Sequence, residues 1–539
     1  MSAENIELSP AAKAWEINKT GKFYGTICEI GAGQETATYF FRAGRASNTI
    51  AKTMSAYGKE TSADIYGEEL RSQLAGVASD KVAFVSRTRL LQMLHREWEL
   101  LIRRSPNSDH EKSRFFVFAN TVSTQERSKT ERDENDKVIT RRSDPTRAGY
   151  GWLGVRFQVG DDPNNRRTAS AYLHVRLRDE QSSDQREAVG IVGVNLLHGA
   201  LTYLNGGADD ATKLIERLLD SVGRHRAVFD VLEVDHPMVH YDSRLLARKL
   251  VLQDCAHAVM IGNKPENTTY VSPLDWPKHV LPVRQTVFGN TVLLRQLSCY
   301  PPLEVDKSMF QLAEKTVRNK LDDCGSVMSV AELTEWRDKS ENDCLKQMDW
   351  AGKVGWRVML SRNHELTYGA KYCWYCEYLS RFRPKHVRLL MRLHRCLKLL
   401  DVSGYTVNGI SEDRAYGELI TTLGRIASSA SRIYVYPVSK GFLERCEREF
   451  TPNVLRLLND KWFAERSGES DCSIANIEMN EDLGRLLTYL RRVGGLVHDM
   501  DRPQNKDSLC IDFRQYVSDE EFRSNVCEEI VDEAIHHFT

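Results

Sequence analysis

The 539-residue chain has no apolar run of about 18 residues, so no segment reads as a membrane-spanning helix. Its first residues, MSAENIELSPAAKAWEINKTGK, lack an apolar core and carry acids early. That pattern speaks against a secretory or mitochondrial leader and for a cytoplasmic protein. An excess of either charge is also missing: 74 Lys and Arg face 75 Asp and Glu, for a net charge of −1. A dedicated nucleic-acid binder shows a basic excess, so the balance speaks against RNA as the partner while leaving room for a local basic groove. The 12 cysteines are scattered, several of them inside apolar runs, and form no disulfide framework for a chain of this size. Reduced thiols are the expectation. No G-x-S-x-G elbow, HExxH pair, kinase signature or internal repeat occurs, so the familiar hydrolases and kinases are unsupported.

What is present is ample apolar material, 41% of residues, enough for two to four domains. The most informative stretch is Tyr24 to Gly67, YGTICEIGAGQETATYFFRAGRASNTIAKTMSAYGKETSADIYG. A β-like opening, Thr26 to Ile30, meets the turn Gly31-Ala32-Gly33, and Arg42, Arg45, Lys52, Thr53 and Ser55 follow. Glycines let backbone approach a phosphate closely, and N–H groups at a helix start favour an anion. The segment therefore predicts a small phosphorylated ligand or nucleotide held by Gly31, Gly33, Arg42, Arg45, Lys52, Thr53 and Ser55.

This block resembles an uncharacterised bacterial family, cyanobacterial members among them, with N-termini of the type EIGAGQE…FFRAG…TIAKTMSAY…DIYG. The likeness recurs at Gly193-Val194-Asn195-Leu196, Asp242-Ser243-Arg244-Leu245 and Leu423-Gly424-Arg425, and so covers most of the first 440 residues. Members carry labels such as TonB-dependent receptor or nicotinate-nucleotide adenylyltransferase. The first requires a signal peptide and many alternating ten-residue strands, the second an HxGH-type motif, and the sequence shows neither. The resemblance implies a shared fold rather than a shared chemistry.

Periodicity divides the chain into an N-terminal α/β unit (1–122), a charged insertion (123–148), a central sheet unit (149–302), a third α/β unit (303–440) and a helical C-terminal region (441–539). Leu90 to Ile102 shows helical spacing. Phe115–Ala119, Ala188–Leu197, Val228–Val234 and Ala256–Ile261 read as buried strands, and residues 155–159 and 173–177 as a hairpin. Residues 305–350 read as a long polar helix and 376–400 as a basic helical stretch. The fold class is α/β, with several units of helix-covered mixed or parallel sheet.

Each motif has a plainer reading beside it. Glu29-Ile30-Gly31-Ala32-Gly33 is similar to a methyltransferase loop but lacks the third glycine, and G-x-G-x-x-G fails at Thr36. Gly44 to Thr53 ends like a Walker loop, but Ala51 replaces its second glycine; the plain alternative is a helix of small residues. Asp235, His236, His240 and Asp242 follow a strand and could perform acid–base work, or be merely solvated. Cys373 and Cys376, with His394 and Cys396 further on, have zinc-like parts, with packed free thiols the default and no metal site assigned. Arg381 to Lys398 forms the strongest basic cluster, beside Trp374, Tyr375 and Tyr378.

The expectation is a nucleotide- or phosphometabolite-binding protein, a nucleotidyl or other group transferase, with Asp235, His236, His240 and Asp242 as catalytic residues and no cofactor specified. The competing class is a non-catalytic assembly protein that meets a partner through its C-terminal helices.

Overall fold

The computed structural model describes residues 7–66, 82–104, 113–126, 128–132, 138–142, 148–160, 167–262, 279–297, 304–334, 340–363, 366–400, 405, 412–429, 431–436, 438–439, 471–472 and 497–499. The expected C-terminal helices and the 161–166 turn lie outside these residues. The chain forms two compact units, Met1–Pro282 and Val283–Thr539.

The first unit opens with helix α1 (Pro10–Thr20). Ser9 caps it by accepting from the Ala12 amide, Pro10 stands in the first turn where its missing N–H costs nothing, and Gly21 ends it at φ +60°. Then come β1 (Phe23–Gly31), α2 (Gln34–Ala43), a 3-10 turn at Ala46–Asn48, β2 (Ile50–Ala56), α3 (Lys59–Tyr66) and α4 (Arg87–Arg104). These are followed by β3 (Arg114–Ser123), β4 (Ser128–Arg132), β5 (Val138–Arg142), β6 (Tyr150–Gln158) and β7 (Thr168–Leu177). The unit ends with α5 (Ser182–Tyr203), α6 (Asp210–Arg217), α7 (Gly223–Arg226), β8 (Ala227–Asp235), α8 (Ser243–Leu252), β9 (Ala258–Ile261) and β10 (Val280–Leu281).

Six of these strands make one mixed sheet in the order β2-β1-β3-β6-β7-β8. β2, β1 and β3 are parallel, and β3, β6, β7 and β8 pair antiparallel. The expected N-terminal and central units thus share a sheet, joined where β3 pairs with β6. The charged 123–148 stretch is not all loop, because β4 and β5 pair as a separate antiparallel ribbon. Gly44 to Thr53 is not a helix either: it leads into the edge strand β2.

Residues 188–197, expected as a strand, lie inside the 22-residue helix α5. Its middle is buried on every side, so its apolar run has no helical stripe, and such a run cannot be told from a buried strand by periodicity. Glycines bring α5 and α2 together: a Cβ at Gly190 would lie 2.3 Å from Glu35 Cβ, and one at Gly193 2.2 Å from Thr36 Oγ1. Lys13 is buried against α5, where its Nζ donates to Asn195 Oδ1 at 2.8 Å and pairs with Asp220 at 2.7 Å.

The second unit runs α9 (Val283–Val287), β11 (Thr291–Gln296), α10 (Glu304–Lys320), β12 (Val327–Thr334), α11 (Glu341–Lys353), β13 (Arg357–Ser361) and α12 (Tyr368–Ser380). It continues with β14 (His386–Arg392), α13 (Leu393–Leu400), α14 (Glu412–Ser428), β15 (Ser431–Tyr436), β16 (Val438–Ser439), β17 (Asp471–Cys472) and β18 (Val497–Asp499). The six strands β13-β12-β11-β14-β15-β18 are neighbours in that order and all parallel. Two expectations are corrected here. The 305–350 helix is two helices separated by β12, and the basic helical stretch contains β14, which places Arg388 and Arg392 on a strand. β14 is buried at every position after His386, so its hydrophobic residues do not alternate with exposed ones.

Candidate functional site

β1 ends at Gly31 with φ +80°, the Ala32 N–H donates to Val122 O at 3.0 Å, and Gly33, at φ +134°, precedes α2. A Cβ would lie 2.2 Å from Val122 O at Gly31 and 2.0 Å from Asn120 Nδ2 at Gly33. Both glycines are therefore demanded by the close approach of β3. No side chain caps α2, and in its first turn the Thr36 amide donates to Gly33 O at 2.9 Å.

Three side chains share one row of the sheet there, because Glu29 is registered with Ser55 on β2 and with Asn120 on β3. Glu29 is buried, and its Oε2 accepts from Ser55 Oγ at 2.7 Å. Glu29 Oε1, both amide atoms of Asn120 and Glu35 Oε2 are buried without a hydrogen-bond partner. Leaving such groups unpaired costs about 1–3 kcal/mol each, so a cluster of them calls for an explanation. Burial pushes the Glu29 carboxyl up to about 7; the Ser55 hydroxyl opposes the rise and Glu35 adds to it. This raised carboxyl stands beside a helix start, near the C-terminal ends of the parallel strands β1 and β2.

Of the residues expected to bind phosphate, the structure brings Gly31, Gly33 and Ser55 to this place and disperses the cations. Arg42 is exposed in the last turn of α2. Arg45, at φ +56°, lies over the Trp15 ring, 5.6 Å from its centre. Lys52 pairs with buried Glu97 of α4 at 2.5 Å, and Thr53 is exposed on the edge strand. Alternation along β2 sends Lys52 and Ser55 to opposite faces of the sheet. The anion pocket read from the sequence does not assemble.

The 235–242 segment does not join the site either. Asp235 is registered with Ser170, which continues through Arg156 and Val117 to Thr26, so β8 is four strands from β1. At ~4.8 Å per strand that is roughly 19 Å, beyond side-chain reach. Asp235 and His240 are exposed. His236 is buried, and burial lowers its pKa against the pull of Asp210 and Asp235. Asp242 caps α8 by accepting from the Arg244 amide at 2.8 Å and pairs with the Arg244 guanidinium. Burial pushes its carboxyl up, but the Arg244 bonds outweigh that and leave it below its ordinary value.

In the second unit, Cys373 Sγ donates to Thr422 O at 3.3 Å, and burial raises the Cys376 thiol to about 12. Arg388 is buried on β14 over the Tyr434 ring. Trp374 stacks on Tyr378 at 4.8 Å, so these aromatics pack on one another within their own helix. Sequence reasoning missed two buried acids. Arg176 Nε donates to both Asp230 oxygens at 2.8 Å, and Arg176 Nη2 lies 2.8 Å from Asp230 Oδ1. Glu332 accepts from Ser361 Oγ at 2.6 Å and Thr334 Oγ1 at 3.0 Å. Asn120 was equally hidden, since only strand register places it beside Glu29.

No family model matches the chain, and no curated protein does. Among solved structures, it is similar to the competence/damage inducible protein CihA from Agrobacterium tumefaciens, at 16% identity over 36% of this chain and 97% of that one, with a TM-score of 0.21. A CinA superfamily protein from Enterobacter cloacae gives 12% identity over 38% and 97%, with a TM-score of 0.22. A competence or damage-inducible protein from Enterobacter asburiae gives 11% over 36% and 96%, also at 0.22. Similarity of this size assigns no activity to the chain.

Proposed function

We propose that the cradle of Glu29, Ser55, Asn120 and the Gly31–Gly33 turn binds a small polar ligand, and that Glu29 moves a proton on it in a group-transfer reaction. The observation that carries this reading is the Asn120 amide, fully buried with neither its donor nor its acceptor paired, beside a Glu29 oxygen that also has no partner. An amide with both functions open complements another donor–acceptor edge, that of a carboxamide or a nucleobase. Two carboxylates, Glu29 and Glu35, flank the place, while Arg42, Arg45 and Lys52 lie elsewhere. A phosphate is therefore disfavoured inside the cradle. A nucleotide fits this reading through its base, with its phosphate outside.

The test is a thermal-shift panel of nicotinamide, cytosine and inorganic phosphate on the wild type and on Asn120→Leu, since a ligand that binds the native state raises the melting temperature. The expected result is a concentration-dependent rise with an amide-edged compound, none with phosphate, and loss of the rise in Asn120→Leu. No rise with either amide-edged compound, or an equal rise in the variant, would discard the reading.

A further inference from the structure

In chain order, the six parallel strands of the second unit stand in the arrangement third-second-first-fourth-fifth-sixth, β13-β12-β11-β14-β15-β18. The connection leaving β11 runs to β12 on one side and the connection leaving β14 runs to β15 on the other, which opens a crevice above the C-terminal ends of those two strands. Ligands of such sheets lie in that crevice, with a ribose directed towards the end of the second strand.

We infer that this crevice binds a nucleoside bearing no phosphate next to its ribose. The second strand is β12, and its end carries the polar groups a ribose needs. Thr334 is its last residue, and Gln296, the last of β11, has its Nε2 3.5 Å from Thr334 Oγ1. Behind them, buried Glu332 receives the Thr334 and Ser361 hydroxyls, and Asn363 Nδ2 donates to Ser361 Oγ at 2.9 Å. Glu332 is thus a positioning residue: it holds Thr334 in place, while Thr334 and Gln296, neither of them fully buried, face the ligand.

The phosphate is excluded by what occupies its usual place. In this arrangement a pyrophosphate rests on the start of the helix after the first strand, here α10. The third residue of α10 is Asp306, fully buried, whose carboxylate is gripped by Arg295 of β11 through Nε at 2.5 Å. The chain's own anion lies where a ligand's would, and its arginine is already engaged.

The experiment is calorimetric titration of the full-length chain with adenosine, S-adenosylmethionine, ATP and NAD+. Expected is saturable binding of adenosine, S-adenosylmethionine or both, with ATP and NAD+ at least about tenfold weaker. Thr334→Val and Gln296→Leu, each checked by its circular-dichroism melt, should weaken that binding about tenfold or more. Hydrogen exchange should show protection at the ends of β11 and β12. The inference is overturned if neither nucleoside binds at millimolar concentration, if NAD+ binds as tightly, if both variants bind like the wild type, or if protection falls in the first unit.

Discussion

The Ser55 hydroxyl donates to the Glu29 carboxylate across the β1–β2 pair at 2.7 Å and leaves the second Glu29 oxygen buried and unpaired. One bond from a flanking edge strand does not offset the burial of a carboxyl, and that imbalance raises the Glu29 pKa to about 7. Glu332 in the second unit is raised to about 7 by burial as well, despite its bonds from Ser361 and Thr334.

Both groups make stability fall as pH rises. The ordinary value is 4.5 and the folded value about 7, so the folded state holds the extra proton between them. Stability is greatest below the lower value and declines until the upper one. Glu29→Gln should flatten this slope and stabilise the protein at pH 8 by roughly 1–3 kcal/mol, as read by urea unfolding across pH. An unchanged slope in Glu29→Gln and Glu332→Gln alike would contradict the raised values.

Asp230 contributes with the opposite sign. Burial pushes its carboxyl up, but Arg176 and His174 outweigh it and hold the pKa below 3.8. The stability it confers is present above that ordinary value and is lost as pH falls through the lower folded one. Asp230→Ala strands the Arg176 guanidinium and should cost about 3–5 kcal/mol at pH 7, measured by denaturant midpoint.

Lys13 gives an asymmetric pair of mutants. Asp220→Ala leaves the buried Lys13 ammonium with only the Asn195 carbonyl oxygen and the Arg217 carbonyl, and should destabilise by about 3 kcal/mol or more. Lys13→Met should cost less, because Asp220 keeps Arg217 at 3.9 Å and a thioether chain fills the space. Equal losses in the two variants would argue against a stranded charge.

Gly190→Ala should separate α5 from α2, since the new methyl would lie 2.3 Å from Glu35 Cβ. The expected cost is about 1–3 kcal/mol. Because Glu35 is in the first turn of α2, ligand-induced stabilisation at the cradle should drop as well, which a thermal-shift titration would show. Gly424→Ala, where a Cβ meets nothing within 4 Å, serves as the control.

Burial raises the Cys373 and Cys376 thiols, the second to about 12. In the native protein at pH 8 both should react with a disulfide reagent only at the rate of unfolding. Fast labelling of either, mapped by mass spectrometry, would refute their burial.

Local pattern determined much of this protein. Phe115–Ala119, Val228–Val234, the α4 stripe and the glycine turn after β1 are legible because each has a short-range cause: β-branched and aromatic runs, helical spacing, and a turn at positive φ. Where an element is buried on all sides that signal vanishes, which is why α5 reads as a strand and β14 as a helix. Sites depend on register, which sequence does not encode locally. Lys52 and Ser55 are three residues apart yet face opposite sides of β2, while Glu29 and Asn120 are distant in sequence yet adjacent across β1 and β3. Only the assembled sheets could show that the cations scatter and that a buried amide and carboxyl meet.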